Sequence, residues 1–164
     1  MPTAATPLCR AARTVFWGAC AIDGVITAGQ PTAEQLAALA AHGLRTVLDV
    51  RGAGDDRGFD EPAAVANLGM DYIPVPVTPD TLGDEQFERA RAILRNAARR
   101  PLLLHCRSAN RSGALLYPYL VLDVGRDREE AFDLACAAGL RNAGYAELAL
   151  DYVARNLEDG TATH

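Results

Sequence analysis

Two rhythms alternate along the chain: short apolar runs, and stretches whose apolar residues recur every three or four positions. "PTAEQLAALAAHGL" predicts a helix. Thr32 and Gln35 match a capping box, Leu36 and Leu39 mark the buried face, and Gly43 suits the carboxyl-terminal cap. "RTVLDV" predicts a short strand that runs into "RGAGDDRGFDEP", whose glycines and charges predict a solvated loop, with Asp55, Asp56, Arg57 and Asp60 at most at the mouth of a site. A weaker helix over 62–69 leads to a strand in "MDYIPVPV", and a further helix, capped by Asp84, carries Phe87, Ala90, Ile93 and Leu94 on one face. "PLLLHC" is apolar almost to its end, as expected for a strand covered on both faces. Helices over 111–123, after Asp127, and over 144–157 complete the pattern, with Phe16 and Trp17 packing in an early strand.

This alternation implies an α/β fold with a central, mainly parallel sheet flanked by helices. At 164 residues the chain suits one domain, assigned to 15–164 behind a flexible terminus of 1–14. Composition adds little beyond a folded, globular character: 49% of residues are hydrophobic and 23% charged. A net charge of −5 argues against nonspecific nucleic-acid binding. The first sixteen residues lack the apolar length of a signal or a membrane span, so no membrane partner is expected. Cys9, Cys20, Cys106 and Cys136 are too dispersed for a zinc site or a disulfide framework, which favours a cytoplasmic protein without a metal or other cofactor. Cys20 and Cys136 are expected to pack in the interior, and Cys9 to lie in the loose terminus.

The chemistry concentrates in "LLLHCRSANRSG". A cysteine at a strand's end, before a turn and a helix start, sits where backbone N–H groups converge, an environment that favours the thiolate. Cys106 is the candidate nucleophile, and Arg107, Ser108, Ala109, Asn110, Arg111 and Ser112 form the candidate anion-binding loop. Arg111 can hold two oxygens of an oxyanion in a fork, and Ser112 can hydrogen-bond the sulfur. His105 is better suited to orienting the loop than to serving as a base. Asp49 is expected to make a local contact at its strand end, with Arg51.

The same loop resembles the signature of cysteine-dependent phosphatases. "GVITAGQPTAEQLAALAAHGLRTVLDVR" and "YIPVPV" resemble a small bacterial phosphatase-like family related to the dual-specificity and tyrosine phosphatases. Members of that family also occur as the phosphatase-like domain of beta-lactamase-hydrolase-like proteins. The resemblance implies that Cys106 forms a thiophosphate, that Arg111 binds phosphate, and that the substrate is a phosphorylated small molecule or protein. It also places a general acid in "PVTPDTLGDEQF", where Asp80 is the choice over Asp84. Two features depart from the superfamily: four residues, not five, separate Cys106 from Arg111, and Ala109 replaces an expected glycine. The shorter spacing, with "VLDVR", resembles rhodanese-type sulfurtransferases, for which Cys106 would carry a persulfide taken from a sulfur donor. A noncatalytic anion-binding module is the third reading.

Overall fold

The "LLLH" run is buried on both faces because it takes the centre of the sheet. In the computed structural model, which describes residues 5–22, 24–56 and 58–160, five strands are present: β1 (Ala19–Ile22), β2 (Val25–Ala28), β3 (Thr46–Asp49), β4 (Asp71–Pro74) and β5 (Leu102–His105). They stand in the order β1-β2-β5-β3-β4, with β1 antiparallel at one edge and the other four parallel. At the carboxyl end of the sheet, His105 is flanked by Ala28 on β2 and Asp49 on β3.

Alternation along β5 sends neighbouring side chains to opposite faces. Leu102, Leu104 and Cys106 join the core under α4 (Asp84–Leu94), α5 (Asn110–Pro118), α6 (Arg128–Ala137) and α7 (Ala143–Gly160). Leu103 joins the smaller core under α1 (Pro7–Ala12), α2 (Ala33–Ala41) and α3 (Glu61–Asn67). Each fully buried leucine contributes about 2 kcal/mol of apolar burial.

The capping box of α2 forms as the sequence predicts: Gln35 N–H donates to the Thr32 hydroxyl, and Thr32 N–H to the Gln35 side chain. Asp127 likewise caps α6. Several expectations need correction. Asp84 does not cap α4; Gly83 holds that position and gives its N–H to Gln86, while both Asp84 oxygens accept from Arg155 at 2.8 Å. The helix expected over 111–123 changes character at Pro118, which has no N–H to donate and crowds the preceding turn; the backbone widens into a π-helical segment, Tyr119–Val124. Phe16 and Trp17 precede β1 and are exposed, at 56% and 40%.

The amino-terminal segment is also more ordered than expected. Residues 7–12 form α1, capped by the Thr6 hydroxyl, with Ala12 buried in the smaller core. Cys9 and Cys20 are joined in a disulfide; Cys20 packs half-buried against the smaller core, as expected, whereas Cys9 is held to the sheet rather than lying loose. Residues 1–4 and Arg57 lie outside the described residues. No helix among the described residues is long and apolar enough to cross a membrane.

Candidate active site

Cys106 directly follows β5 and is fully buried, and the chain then turns through residues 107–109 into α5. The carbonyls of this loop are tied to the surrounding protein. His105 Nδ1 lies 3.1 Å from the Cys106 oxygen, Gln30 N–H donates to Arg107, Arg141 Nη2 to Ser108, and Gly113 N–H to Ala109. A planar trans peptide points its N–H opposite its carbonyl. Among the described residues no protein acceptor meets the N–H groups of Arg107 to Asn110, which gather beside the amino terminus of α5. Such a nest of amides attracts an anion.

Close approach from two sides shapes the loop. Gly29 leaves room for the Arg107 carbonyl, which would lie 2.7 Å from any Cβ there. Ala109 adopts a left-handed conformation (φ 72°) and presses its methyl against Gly139. Asn110 accepts the N–H groups of Arg141 and Asn142, at 2.6 and 2.9 Å. The Arg141 guanidinium stacks on Trp17, 4.1 Å from the ring centre, and Trp17 donates to the Ala137 carbonyl. Trp17 is therefore a strut behind the loop rather than part of a strand.

Arg111 reaches back from the first turn of α5 into a pocket of about 450 Å³ lined by Gly54, Asp55, Thr78, Asn142 and Tyr145, among others. Its Nη1 and Nη2 each donate to one Asp55 oxygen at 2.8 Å, and Nη1 also to the Val77 carbonyl. The bidentate pair raises the Arg111 pKa against the opposing effect of burial. The hydrogen bonds from Arg111 hold Asp55 below the usual carboxylate range, with burial opposing and the Gly52 N–H assisting. Burial pushes the Tyr145 hydroxyl up, and Arg111 nearby partly offsets this.

On the opposite face, His105 enters a buried ionic network. Its Nε2 lies 2.6 Å from Glu61, and Gln30 donates to the other Glu61 oxygen. Arg51 donates to Asp49 through Nε and Nη2, and Nη2 stands 3.5 Å from Glu61. The Tyr72 hydroxyl also donates to Asp49. Both ring nitrogens of His105 face acceptors, so the ring cannot turn without abandoning a buried hydrogen bond. Ligand atoms of Asp49, Glu61 and His105 lie within 4.8 Å of one another. The guanidinium of Arg51 already supplies the positive charge that a metal would bring to them.

The fold thus brings Cys106, residues 107–110 and Arg111 together. It gives Ser112 a different partner: its hydroxyl donates to the Ala28 carbonyl at 3.1 Å, so its one proton is directed away from the sulfur. Asp80 is exposed, one residue beyond the pocket-lining Pro79. Asp55, expected in a solvated loop, is instead paired with Arg111 and only 15% exposed. The tendency of parallel sheets to bind ligands beyond their carboxyl ends was the available signal, because Asp55 follows β3, the neighbour of β5. Nothing in the sequence around Glu61, Arg141 or Tyr145 set those residues apart.

The architecture is that of the tyrosine and dual-specificity phosphatases. A DUF442 phosphatase-like protein of Shewanella putrefaciens superposes with a TM-score of 0.75 at 18% identity, covering 89% of this chain and 97% of that one. The core catalytic domain of the PP-IP phosphatase SIW14 from S. cerevisiae gives 0.70 at 17%, covering 90% and 94%. TpbA of P. aeruginosa, in complex with pTyr, gives 0.62 at 19%, covering 80% and 79%. The chain belongs to the family of the phosphatase-like domain of beta-lactamase hydrolase-like proteins, whose model matches residues 21–118. No curated protein matches the sequence.

Proposed function

We propose that the protein is a cysteine-dependent phosphatase that hydrolyses phosphate monoesters through a thiophosphate on Cys106. The observation that carries this reading is the loop itself: its carbonyls are tied to the surroundings, and among the described residues no protein acceptor meets its amides, in the segment that runs from Cys106 to Arg111. A phosphoryl group seated there would meet backbone donors and a guanidinium that stabilise the charge growing on its oxygens. His105, held from the far face by Glu61, acts as a positioning residue through the Cys106 carbonyl. Family membership supports the same reading. The pTyr bound to TpbA and the PP-IP substrate named for SIW14 suggest a phosphorylated protein or small molecule as substrate.

The four-residue spacing between Cys106 and Arg111 favours a second reading, a sulfurtransferase carrying a persulfide on Cys106. One comparison separates the two. The protein is given an aryl phosphate in one assay, and thiosulfate with cyanide in another. Phosphate release without thiocyanate is the expected result; thiocyanate without phosphate overturns the phosphatase reading. Cys106→Ser is expected to lower the phosphatase rate by more than about 10³-fold.

A further inference from the structure

Resting on the phosphatase reading, we infer that Asp55 is the proton donor and acceptor of the reaction, released for that work by the substrate itself. Its two oxygens fill the Arg111 fork at 2.8 Å each, where a phosphate would need to bind. Oδ2 also accepts the Gly52 N–H at 2.6 Å, a tether that does not depend on Arg111. A carboxylate and a phosphate present similar pairs of oxygens to a guanidinium, and the doubly charged ion is the stronger competitor. An incoming phosphoryl group therefore takes the fork and leaves Asp55 in the pocket wall.

Displacement changes the chemistry of that carboxylate. Arg111 from α5, Arg51 beyond β3 and Tyr145 from α7 face it, and Cys106 acts in turn on Arg111 and Tyr145. Once Arg111 serves the phosphoryl group, Asp55 has lost its main cation and gained an anionic neighbour. Both changes raise its proton affinity. A carboxyl group protonated on substrate arrival is placed to act as a general acid.

In the first step the Cys106 sulfur bonds to phosphorus as the ester P–O bond breaks. The electron pair stays on the leaving oxygen, which takes the Asp55 proton. In the second, the Asp55 carboxylate removes a proton from water as the water oxygen attacks phosphorus, and the S–P bond breaks with its electron pair returning to sulfur. Phosphate then departs, Asp55 gives up to solvent the proton it took from water, and the carboxylate closes on Arg111 again. Asp80, exposed beyond the pocket lining, is the rival for this role.

The test compares wild type, Asp55→Asn and Asp80→Asn on p-nitrophenyl phosphate, whose leaving group needs little protonation, and on phenyl phosphate, whose leaving group needs it. Asp55→Asn is expected to lose about 10²- to 10³-fold in kcat on phenyl phosphate and less than about 10-fold on p-nitrophenyl phosphate. An equal loss on both esters overturns the acid role, as does the same leaving-group dependence appearing in Asp80→Asn instead. Calorimetry of inorganic phosphate binding to Cys106→Ser, in two buffers of different ionisation heat, supplies a second readout. Proton uptake is expected, and it should vanish when Asp55→Asn is added; binding without uptake in Cys106→Ser overturns the displacement. Wild type inert on both esters overturns the phosphatase reading and the acid with it. An active wild type matched by Asp55→Asn on phenyl phosphate overturns the acid alone.

Discussion

Ala109 sets the local tension of the loop. An alanine at φ 72° costs roughly 1 kcal/mol relative to ordinary backbone, and the position is accommodated because Gly139 offers no side chain against it. A Cβ on Gly139 would fall 2.5 Å from that of Ala109, at a backbone φ of 118° that already disfavours any side chain. Gly139→Ala should therefore destabilise the protein by about 2 kcal/mol or more. Ala109→Gly in the same chain should restore the part that arises from methyl against methyl. Urea denaturation of both single variants and the double variant measures that coupling, and strict additivity would show that the two residues do not press on each other.

The ends of β3 and β5 carry a different kind of stability. Asp49 and Glu61 are buried carboxylates that share the buried guanidinium of Arg51, so removing that cation leaves both without it. Arg51→Met should cost roughly 3 to 5 kcal/mol, read by denaturant unfolding. Burial works to raise the Asp49 pKa, but the hydrogen bonds from Arg51 and Tyr72 and the charge interaction with His105 prevail and lower it to about 2. A depressed carboxylate stabilises the fold above its unfolded value, and that contribution is lost as pH falls through the folded value. Asp49 should therefore contribute about 2 kcal/mol at neutral pH, disappearing between about pH 4 and pH 2. Asp49→Asn should flatten the stability profile within that window. Elements were the most legible level of the sequence. The apolar run of β5, the Thr32 and Gln35 box and the cysteine-to-arginine loop announce themselves through spacing and residue type. The Arg51 to Asp49 contact was legible because it is local, whereas Glu61 joins the network across 44 positions and its surrounding sequence reads as an ordinary helix start.

Across the whole molecule, the chain between Cys9 and Cys20 is closed by a disulfide of sequence separation 11, which fastens α1 to the edge strand β1. Loop closure of that size is worth about 3 kcal/mol in the chain-entropy model. Dithiothreitol should therefore lower the melting temperature of the protein, and should leave that of a Cys9→Ser, Cys20→Ser variant unchanged. A bridge of this kind persists most readily in oxidising surroundings. Cysteine spacing did not reveal the pair, because two thiols meet through the placement of a helix on a sheet edge. Asp55 and Arg111 escaped notice for a similar reason: 56 residues separate them, and only the parallel order of β3 and β5 places them together.

The Arg141 brace links the Ser108 carbonyl to a residue 33 positions later and stacks on Trp17 from the amino-terminal segment. During synthesis, then, Cys106 leaves the ribosome well before the residues that complete its cradle. The nascent chain carries the Cys106 thiol without the contacts that shape its loop, and the loop can close only after both flanks of the molecule have been made.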